Sequence, residues 1–489
     1  MDELLLTKEK RAHLSQWREK QKLALELMKT AGHLLVDRSV ELILFRRGIY
    51  DSNLNAIIDL HESAQRYISR PVSLETTLLL ARTIERNAAI RKMKIDLGKL
   101  TAAWYEEQDR YANVSAFIEK KLLTILESHR GGEGPRDVVL YGFGRIGRLV
   151  ARRILQQTGS GEQLILRAVV VRPKMKNRYE ETFKRVSLLM TDSIHGRFPG
   201  TFRVSPSGDE AVINGNVVRF IYADAPDQVD YSQYGIENAL LIDNTGVWRD
   251  KEGLSQHLRP GIDRILLTAP GKDIPNIVKG VNDGEFDYEE HRIICAASCT
   301  TNAICPIIKV IDESFGIESG HIETIHAYTV DQNLLDNFHK KPRRGRAAAI
   351  NMVLTTTGAA TAVARVMPHL AGKLTGNAVR VPVPDVSLAI LSLQLRNPTV
   401  KEEVNAVLKQ ASIEGALMEQ IHYSEETEYS SSHAIGMTTT SVIDAPSTIV
   451  SDDGRRVILY AWYDNEYGYA CQVVRLAKVF AGVRRAAFY

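Results

Sequence analysis

The stretch Val138-Val139-Leu140-Tyr141-Gly142-Phe143-Gly144-Arg145-Ile146-Gly147 constrains the fold of this chain more than any other. Its first four residues read as a short buried strand. The G-x-G-x-x-G that follows opens a helical pattern from Arg145 to Gln157. A strand that passes into a helix through glycines at this spacing is the first turn of a dinucleotide-binding βαβ unit. Gly142 permits the tight turn, Gly144 lets the backbone approach a pyrophosphate, and Gly147 lets helix and strand pack closely. The pyrophosphate then lies at a helix N-terminus, where free N–H groups and the dipole favour an anion. Gly142, Gly144, Arg145, Ile146 and Gly147 are therefore candidate cofactor residues. A β-branched strand over 164–171 follows, and strands alternating with helices predict an α/β chain with a Rossmann-type, doubly wound parallel sheet.

The end of that second strand is where the ribose is read. An acidic side chain there would bond the 2′-hydroxyl of NAD. This chain has Val171-Arg172-Pro173, with Lys174 and Lys176 close behind. A carboxylate repels a 2′-phosphate and an arginine attracts one, so Arg172 favours NADP, or at least its acceptance, over NAD.

Nothing before residue 131 shares this texture. Residues 1–130 hold three of the 33 glycines, one of the 16 prolines and none of the four cysteines. Few breakers and apolar residues at helical spacing predict an all-α N-terminal extension of three to five helices. The patterns run through Leu23–Met28, then Ile43 and Leu54–Leu60, then Leu78–Ile90, then Phe117–Ile125. Gly131-Gly132-Glu133-Gly134-Pro135 cannot continue a helix and reads as a linker. With 489 residues, the chain has room for about three domains. The net charge of +3 gives no support for nucleic acid as a partner. Four cysteines make no disulfide framework and suit a reducing compartment. The first residues lack the pattern of a signal peptide, and no apolar run is long enough to span a bilayer. The expected setting is cytoplasmic, without membrane or nucleic-acid partners, and no motif calls for a metal.

A second motif carries the chemistry. Ala297-Ser298-Cys299-Thr300-Thr301-Asn302 follows the apolar Ile293-Ile294 and precedes a helical pattern at Ile304, Ile307, Ile308 and Ile311. Cys299 thus falls at a helix N-terminus, where the dipole favours a thiolate and lowers its pKa. Cys295, Cys305 and Cys471 read as inert core residues. A thiolate nucleophile commonly uses an imidazole partner distant in sequence. His326, which ends a strand pattern and begins a long polar loop, is the best placed of the 13 histidines.

With these residues in place, the chain resembles the glyceraldehyde-3-phosphate dehydrogenase family over roughly residues 136–489. The matching blocks are Gly142–Arg148, Asp192–Phe198, Thr268–Asp273, Ala297–Asn302, His326–Gln332, Arg343–Ala349, Thr356–Ala360, Lys373–Gly376, Arg380–Pro382 and Trp462–Tyr469. The resemblance implies a Rossmann domain over 131–298 and 466–489, an α+β catalytic domain over 299–465, and a homotetramer. It also implies roles. Cys299 matches the nucleophile and His326 the general base. Ser298, Thr300, Thr357, Gly358 and Arg380 match the inorganic phosphate site. Thr329, Asp331, Arg344 and Arg380 match the site for the substrate's own phosphate. Asn465 matches the asparagine that holds the nicotinamide carboxamide, and Thr245, Gly246 and Thr268 fall with the cofactor residues. The implied reaction is oxidation of glyceraldehyde 3-phosphate through a Cys299 thioester, hydride transfer to NAD or NADP, and release of an acyl phosphate to inorganic phosphate. The same motifs leave open an erythrose-4-phosphate dehydrogenase, or a regulatory protein that kept the fold. The family serves glycolysis and gluconeogenesis, and NADP use would suit biosynthetic or gluconeogenic flow.

Departures from the family concern mainly the cofactor side. Tyr141 stands where the family usually has Asn, and Arg172 replaces the acidic ribose residue. Asn337-Phe338 precedes His339-Lys340 where NAD-preferring members usually carry Leu-Pro, and Ala296 replaces an Asn. Asp385, in Pro384-Asp385-Val386-Ser387, stands for an Asn and brings a charge near the core.

Overall fold

The computed structural model describes residues 8–45, 47–50, 52–68, 70–129, 134–159, 161–284 and 286–489. The first seven residues and Gly131–Glu133, which hold the expected chain start and most of the expected linker, lie outside them. The chain forms two compact units. One comprises Met1–Pro135, Thr158–Gln163 and Gly482–Tyr489, the other Arg136–Gln157 and Leu164–Ala481.

The smaller unit is built around α1 (Lys8–Arg38). The helices Leu54–Glu62, Leu74–Arg86, Leu97–Glu107 and Val114–Ile118 begin at Asn53, Ser73, Asp96 and Asn113, whose side chains accept the first free N–H groups. These are the residue types that out-compete water for a helix start. Leu27, Leu34, Ile57, Ile58, Leu78, Ile84 and Phe117 meet in one apolar core. The expected helices are present, and the segment also holds a four-stranded sheet that the all-α reading lacks. Its strands run in the order Arg47–Gly48, Glu41–Leu44, Met93–Asp96, Ala486–Phe488. Ile43, read as helical, lies in the second of them. Strands of two to four residues are too short for period-two alternation to show. The last strand comes from the opposite end of the chain, so residues 482–489 join this unit and leave the Rossmann sheet.

The larger unit carries two eight-stranded sheets. In the first, β1 (Arg136–Tyr141) leads into α2 (Arg145–Gln156) and returns as β2 (Leu164–Val171), parallel to β1. Asn216–Tyr222 extends the sheet beyond β2, while Ala239–Asp243, Ile262–Leu267 and Ile293–Cys295 extend it from β1 the other way, all parallel. The chain thus reverses direction at β1. In such sheets the crevice at the reversal is the ligand position.

The second sheet follows α3 (Cys299–Phe315). At its centre β3 (Ile317–Ala327) lies parallel to β4 (Leu374–Val381) and antiparallel to β5 (Ser387–Leu395), which pairs with β6 (Arg456–Tyr463). One side of α3 packs on this sheet through Ile304, Ile307, Ile308 and Ile311 against Leu391, Leu393, Leu459 and Ala461. A helix buried along most of its length is a rigid mount for whatever stands at its first residue. The chain ends this unit in α4 (Tyr467–Phe480).

Candidate active site

Cys299 is the first residue of α3, and Ser298 caps that helix by accepting the Thr301 N–H at 3.0 Å. His326 is the penultimate residue of β3. The two approach to 3.8 Å between Sγ and Nε2. Nδ1 of His326 lies 2.7 Å from the Ala327 carbonyl oxygen, which assigns the ring proton to Nδ1 and turns the free lone pair of Nε2 toward the sulfur. Arg380, opposite His326 in the β3–β4 pairing, donates to the same carbonyl at 2.9 Å and reaches the Thr329 hydroxyl at 3.4 Å.

Burial pushes the Cys299 thiol up, against the pull of the Arg380 guanidinium and the Thr300 N–H. The lowering expected from the helix N-terminus is therefore not the net result, because an apolar setting penalises the thiolate more than these groups favour it. Burial, joined by the charges of Arg380 and Arg344, pushes His326 down to about 3. At neutral pH the pair is a thiol beside a neutral imidazole whose basic nitrogen faces it.

The anion-binding candidates surround this pair unevenly. Arg344, in the turn Pro342–Gly345, forms an ion pair with Asp331 and donates to the Thr355 hydroxyl at 3.3 Å. Thr357 and Gly358 precede the helix Ala359–Val366, and the Ala359 N–H bonds the Thr357 hydroxyl at 3.2 Å. Thr300 is buried with its hydroxyl 3.1 Å from that of Tyr463. The Ser298 oxygen is committed to its cap and to the Thr301 hydroxyl at 2.6 Å. Tyr463 was not singled out by sequence, although the Trp462–Tyr469 block contains it. Its ring stands 6.0 Å from that of His326. Ser387 was also missed. Its hydroxyl accepts the Ala327 N–H and donates to Asn465 Oδ1 at 2.7 Å, joining the end of β3 to the residue matched to the nicotinamide.

The three glycines behave as their tasks require. Gly142 holds φ +91°. A Cβ on Gly147 would lie 2.5 Å from the Gly142 oxygen, so the helix could not pack on the strand with any side chain there. A Cβ on Gly144 would meet nothing within 4 Å, which leaves its backbone open toward the start of α2. This cradle fits a dinucleotide pyrophosphate. Arg145 adds no side chain to it, being held by Glu466 at 2.8–2.9 Å and by Asp192 at 2.8 Å. Ile146 follows as the second residue of α2, half-buried. Beside the cradle lies a cavity of about 410 Å³ lined by Tyr141, Gly142, Phe143, Gly144, Arg148, Arg172, Lys174, Arg185, Thr245 and Trp248 among others. Tyr141 closes its inner side, packing edge-on against His257 and Trp248 with centroids 4.5 and 5.7 Å away. Thr245 and Thr268 both bond to Asp243, through its carboxylate and its carbonyl, and Gly246 turns the chain between Thr245 and Val247 at φ +62°. Arg185 had no local sequence signal, since it enters from the helix Arg178–Met190.

A doubly wound sheet with a pyrophosphate cradle and a second domain that sets a thiol against an imidazole define a dinucleotide-binding oxidoreductase. The sequence agrees with known proteins on this point. Residues 136–251 match the family model for the glyceraldehyde 3-phosphate dehydrogenase NAD binding domain, and residues 298–465 match that for its C-terminal domain. A glyceraldehyde-3-phosphate dehydrogenase-like protein of Pseudomonas aeruginosa is 46% identical over 464 residues, covering 94% of this chain and 98% of that one. Glyceraldehyde-3-phosphate dehydrogenase 2 of Bacillus subtilis is 40% identical over 70% of this chain and 95% of its own. The Geobacillus stearothermophilus enzyme is 41% identical over 70% and 98%. The chain belongs to the glyceraldehyde-3-phosphate dehydrogenase family. The Pseudomonas relative extends into the N-terminal unit, whereas the two bacillary proteins do not have the length to do so.

Proposed function

We propose that the chain is a phosphorylating glyceraldehyde-3-phosphate dehydrogenase that uses NADP or NAD. The observation that carries this reading is the 3.8 Å approach of the Cys299 sulfur to the basic nitrogen of His326, with Arg380 beside both. His326 takes the thiol proton as Cys299 attacks the aldehyde carbon, and a thiohemiacetal forms on the sulfur. A nicotinamide cofactor, when bound, supplies the hydride acceptor that turns this adduct into a Cys299 thioester. Inorganic phosphate then attacks the thioester carbon and leaves as the acyl phosphate, freeing the thiolate. The backbone N–H of Cys299, at the start of α3, is aimed to stabilise the oxyanion of both tetrahedral species.

Arg344 and Arg380, with Thr329, Asp331, Ser298, Thr300, Thr357 and Gly358, bind the two phosphate groups, guanidinium forks matching phosphate oxygens. Anions held there offset the two positive charges that depress His326, so substrate binding strengthens the base that the first step needs. Asn465, held by Ser387, orients the nicotinamide carboxamide. On the adenosine side Arg172, Lys174 and Arg185 give the cavity a cationic rim, which supports binding of a 2′-phosphate. The loop over 330–352 presents Val330, Leu334, Leu335, Phe338, Ile350 and Met352 with 74–89% of their surface exposed. So large an apolar surface supports burial against further copies of the chain, in a homotetramer. No helix among the described residues is long and apolar enough to cross a membrane. The free cysteines suit a cytoplasmic, reducing setting.

The test is a steady-state assay with glyceraldehyde 3-phosphate on each cofactor, with and without phosphate. Reduction of cofactor that requires phosphate is the expected result. Oxidation of erythrose 4-phosphate in preference would reassign the substrate, and a strong NAD preference would overturn the role given to Arg172.

A further inference from the structure

Three side chains outside the Cys299–His326 pair converge in the interior of the larger unit. His195 comes from the turn after Asp192, Asp385 from the turn that enters β5, and Asp464 from the residue after β6, one before Asn465. Their side chains are 4%, 1% and 0% exposed. His195 Nε2 lies 3.0 Å from Asp464 Oδ2 and 3.2 Å from Asp385 Oδ2, and all three atoms fall within 4.8 Å of one another.

Asp464 is fully engaged. Its Oδ1 accepts the N–H groups of Glu466 and Tyr467, and its Oδ2 that of Gly436. Asp385 is less well served, for neither of its oxygens has a hydrogen bond of good geometry and its close partner is the His195 ring at 3.2 Å. The imidazole offers at most one N–H on Nε2, and Asp464 receives it. A buried carboxylate left without a donor is costly unless a cation meets it. Arg145, which pairs with the neighbouring Asp192, is already spent on that residue and on Glu466. On the far side of the ring, Nδ1 of His195 faces Asp192 Oδ1 at 3.5 Å. A carboxylate behind the imidazole is how proteins orient a histidine toward a metal.

We propose that His195, Asp385 and Asp464 form a binding site for a divalent first-row metal ion, zinc being the best match. One imidazole nitrogen with two carboxylate oxygens is a donor set that zinc takes readily. Metal–ligand bonds of about 2.0–2.2 Å put neighbouring ligand atoms roughly 3.0–3.4 Å apart, and the 3.0 and 3.2 Å separations from Nε2 fall in that range. The sequence had suggested no metal, since the three ligands are scattered over 270 positions and Asp385 registered only as a misplaced charge. An ion here joins the Asp192–Phe198 turn, the turn into β5 and the residue preceding Asn465.

The full-length Cys299→Ser protein, which lacks the competing active-site thiol, is freed of metal with chelator and titrated with zinc chloride by calorimetry. Cobalt(II) is added in parallel and followed by its absorption. One equivalent per chain is expected, with cobalt bands free of thiolate charge transfer and a melting temperature that rises with zinc concentration. Asp385→Asn in the same background should weaken binding by about 10- to 100-fold or more. Uptake below one equivalent, or equal affinity in the Asp385→Asn protein, would overturn the site and leave an imidazolium held between two carboxylates. Should that variant fail to fold, anomalous diffraction at the zinc edge from wild-type crystals grown with zinc decides. Density among the three side chains supports the site, and its absence there refutes it.

Discussion

The interiors of the two units put their buried polar groups to different uses. In the smaller unit, several buried polar side chains serve the local backbone. His61 bonds the Ile57 carbonyl at 2.7 Å and the Thr77 hydroxyl at 2.9 Å, and Thr101 bonds the Leu97 carbonyl at 2.6 Å. Asp96 caps the helix that starts at Leu97. Arg485, carried in by the last strand, lies 3.6 Å from Glu41. In the larger unit, polar groups are buried against one another, as in Asp243 with His257, and across long sequence distances in Asp385 and Asp464 with His195 and in His326 with Arg380. Buried polar groups cost stability in both units, for both oxygens of Asp385 and Nε of Arg380 lack a hydrogen bond, as do Asp96 Oδ2 and the Arg485 guanidinium in the smaller unit. The first interior is arranged to hold together and the second to hold chemistry in place.

The sharpest test of that contrast is the nucleophile proposed for the larger unit. Cys299→Ala should abolish the acyl-enzyme and lower kcat/KM by about 10⁴-fold or more, seen as loss of covalent label in intact-mass spectra. Any residual acyl-enzyme would break the assignment. Replacing the base comes next. His326→Asn should cost about 10²–10⁴-fold in kcat/KM and slow alkylation of Cys299 by iodoacetate. Arg172→Asp should shift the NADP-to-NAD ratio of kcat/KM by roughly 10- to 100-fold toward NAD, the worth of a charge-assisted hydrogen bond.

A change in the other interior should do the reverse. A Cβ on Gly98 would lie 2.4 Å from the Phe45 ring. Gly98→Ala is expected to destabilise by about 1–3 kcal/mol in urea melts while kcat/KM holds. Loss of activity without loss of stability would blur the distinction between the units. The smallest effect concerns acid. Burial lowers the pKa of His61, and burial with two arginines takes His326 down to about 3. As pH falls below about 6.5, the unfolded chain binds protons at these rings and the folded chain does not. Stability should therefore fall from pH 7 toward pH 4, and the urea midpoint of His61→Gln should fall less. A His61→Gln midpoint that falls on acidification as far as the wild type's would contradict the burial assigned to His61.

The residues that could be read in advance are those whose local pattern has one physical use. Gly142, Gly144 and Gly147 stand between a strand and a helix at a spacing that only close backbone approach requires. Cys299 stands at a helix start, between an apolar strand and a helical run of isoleucines. Others had no such mark. Arg185 is one basic residue among many on a helix face, and it enters the cavity only because that helix lies beside β2. Ala486–Phe488 looks like a chain end, and it becomes a strand because Met93–Asp96 leaves an edge for it.

Local sequence alone determined the βαβ turn, the placing of a thiol at the first turn of a helix, and the helical character of the first 130 residues. Each depends on neighbours within one or two turns of chain. The pairing of Cys299 with His326, the upward pull of burial on the thiol, the sheet in the N-terminal unit and the meeting of His195, Asp385 and Asp464 were decided by tertiary structure. Desolvation and charge act through space, and no spacing along the chain states how far apart two distant residues will lie once the sheets have formed.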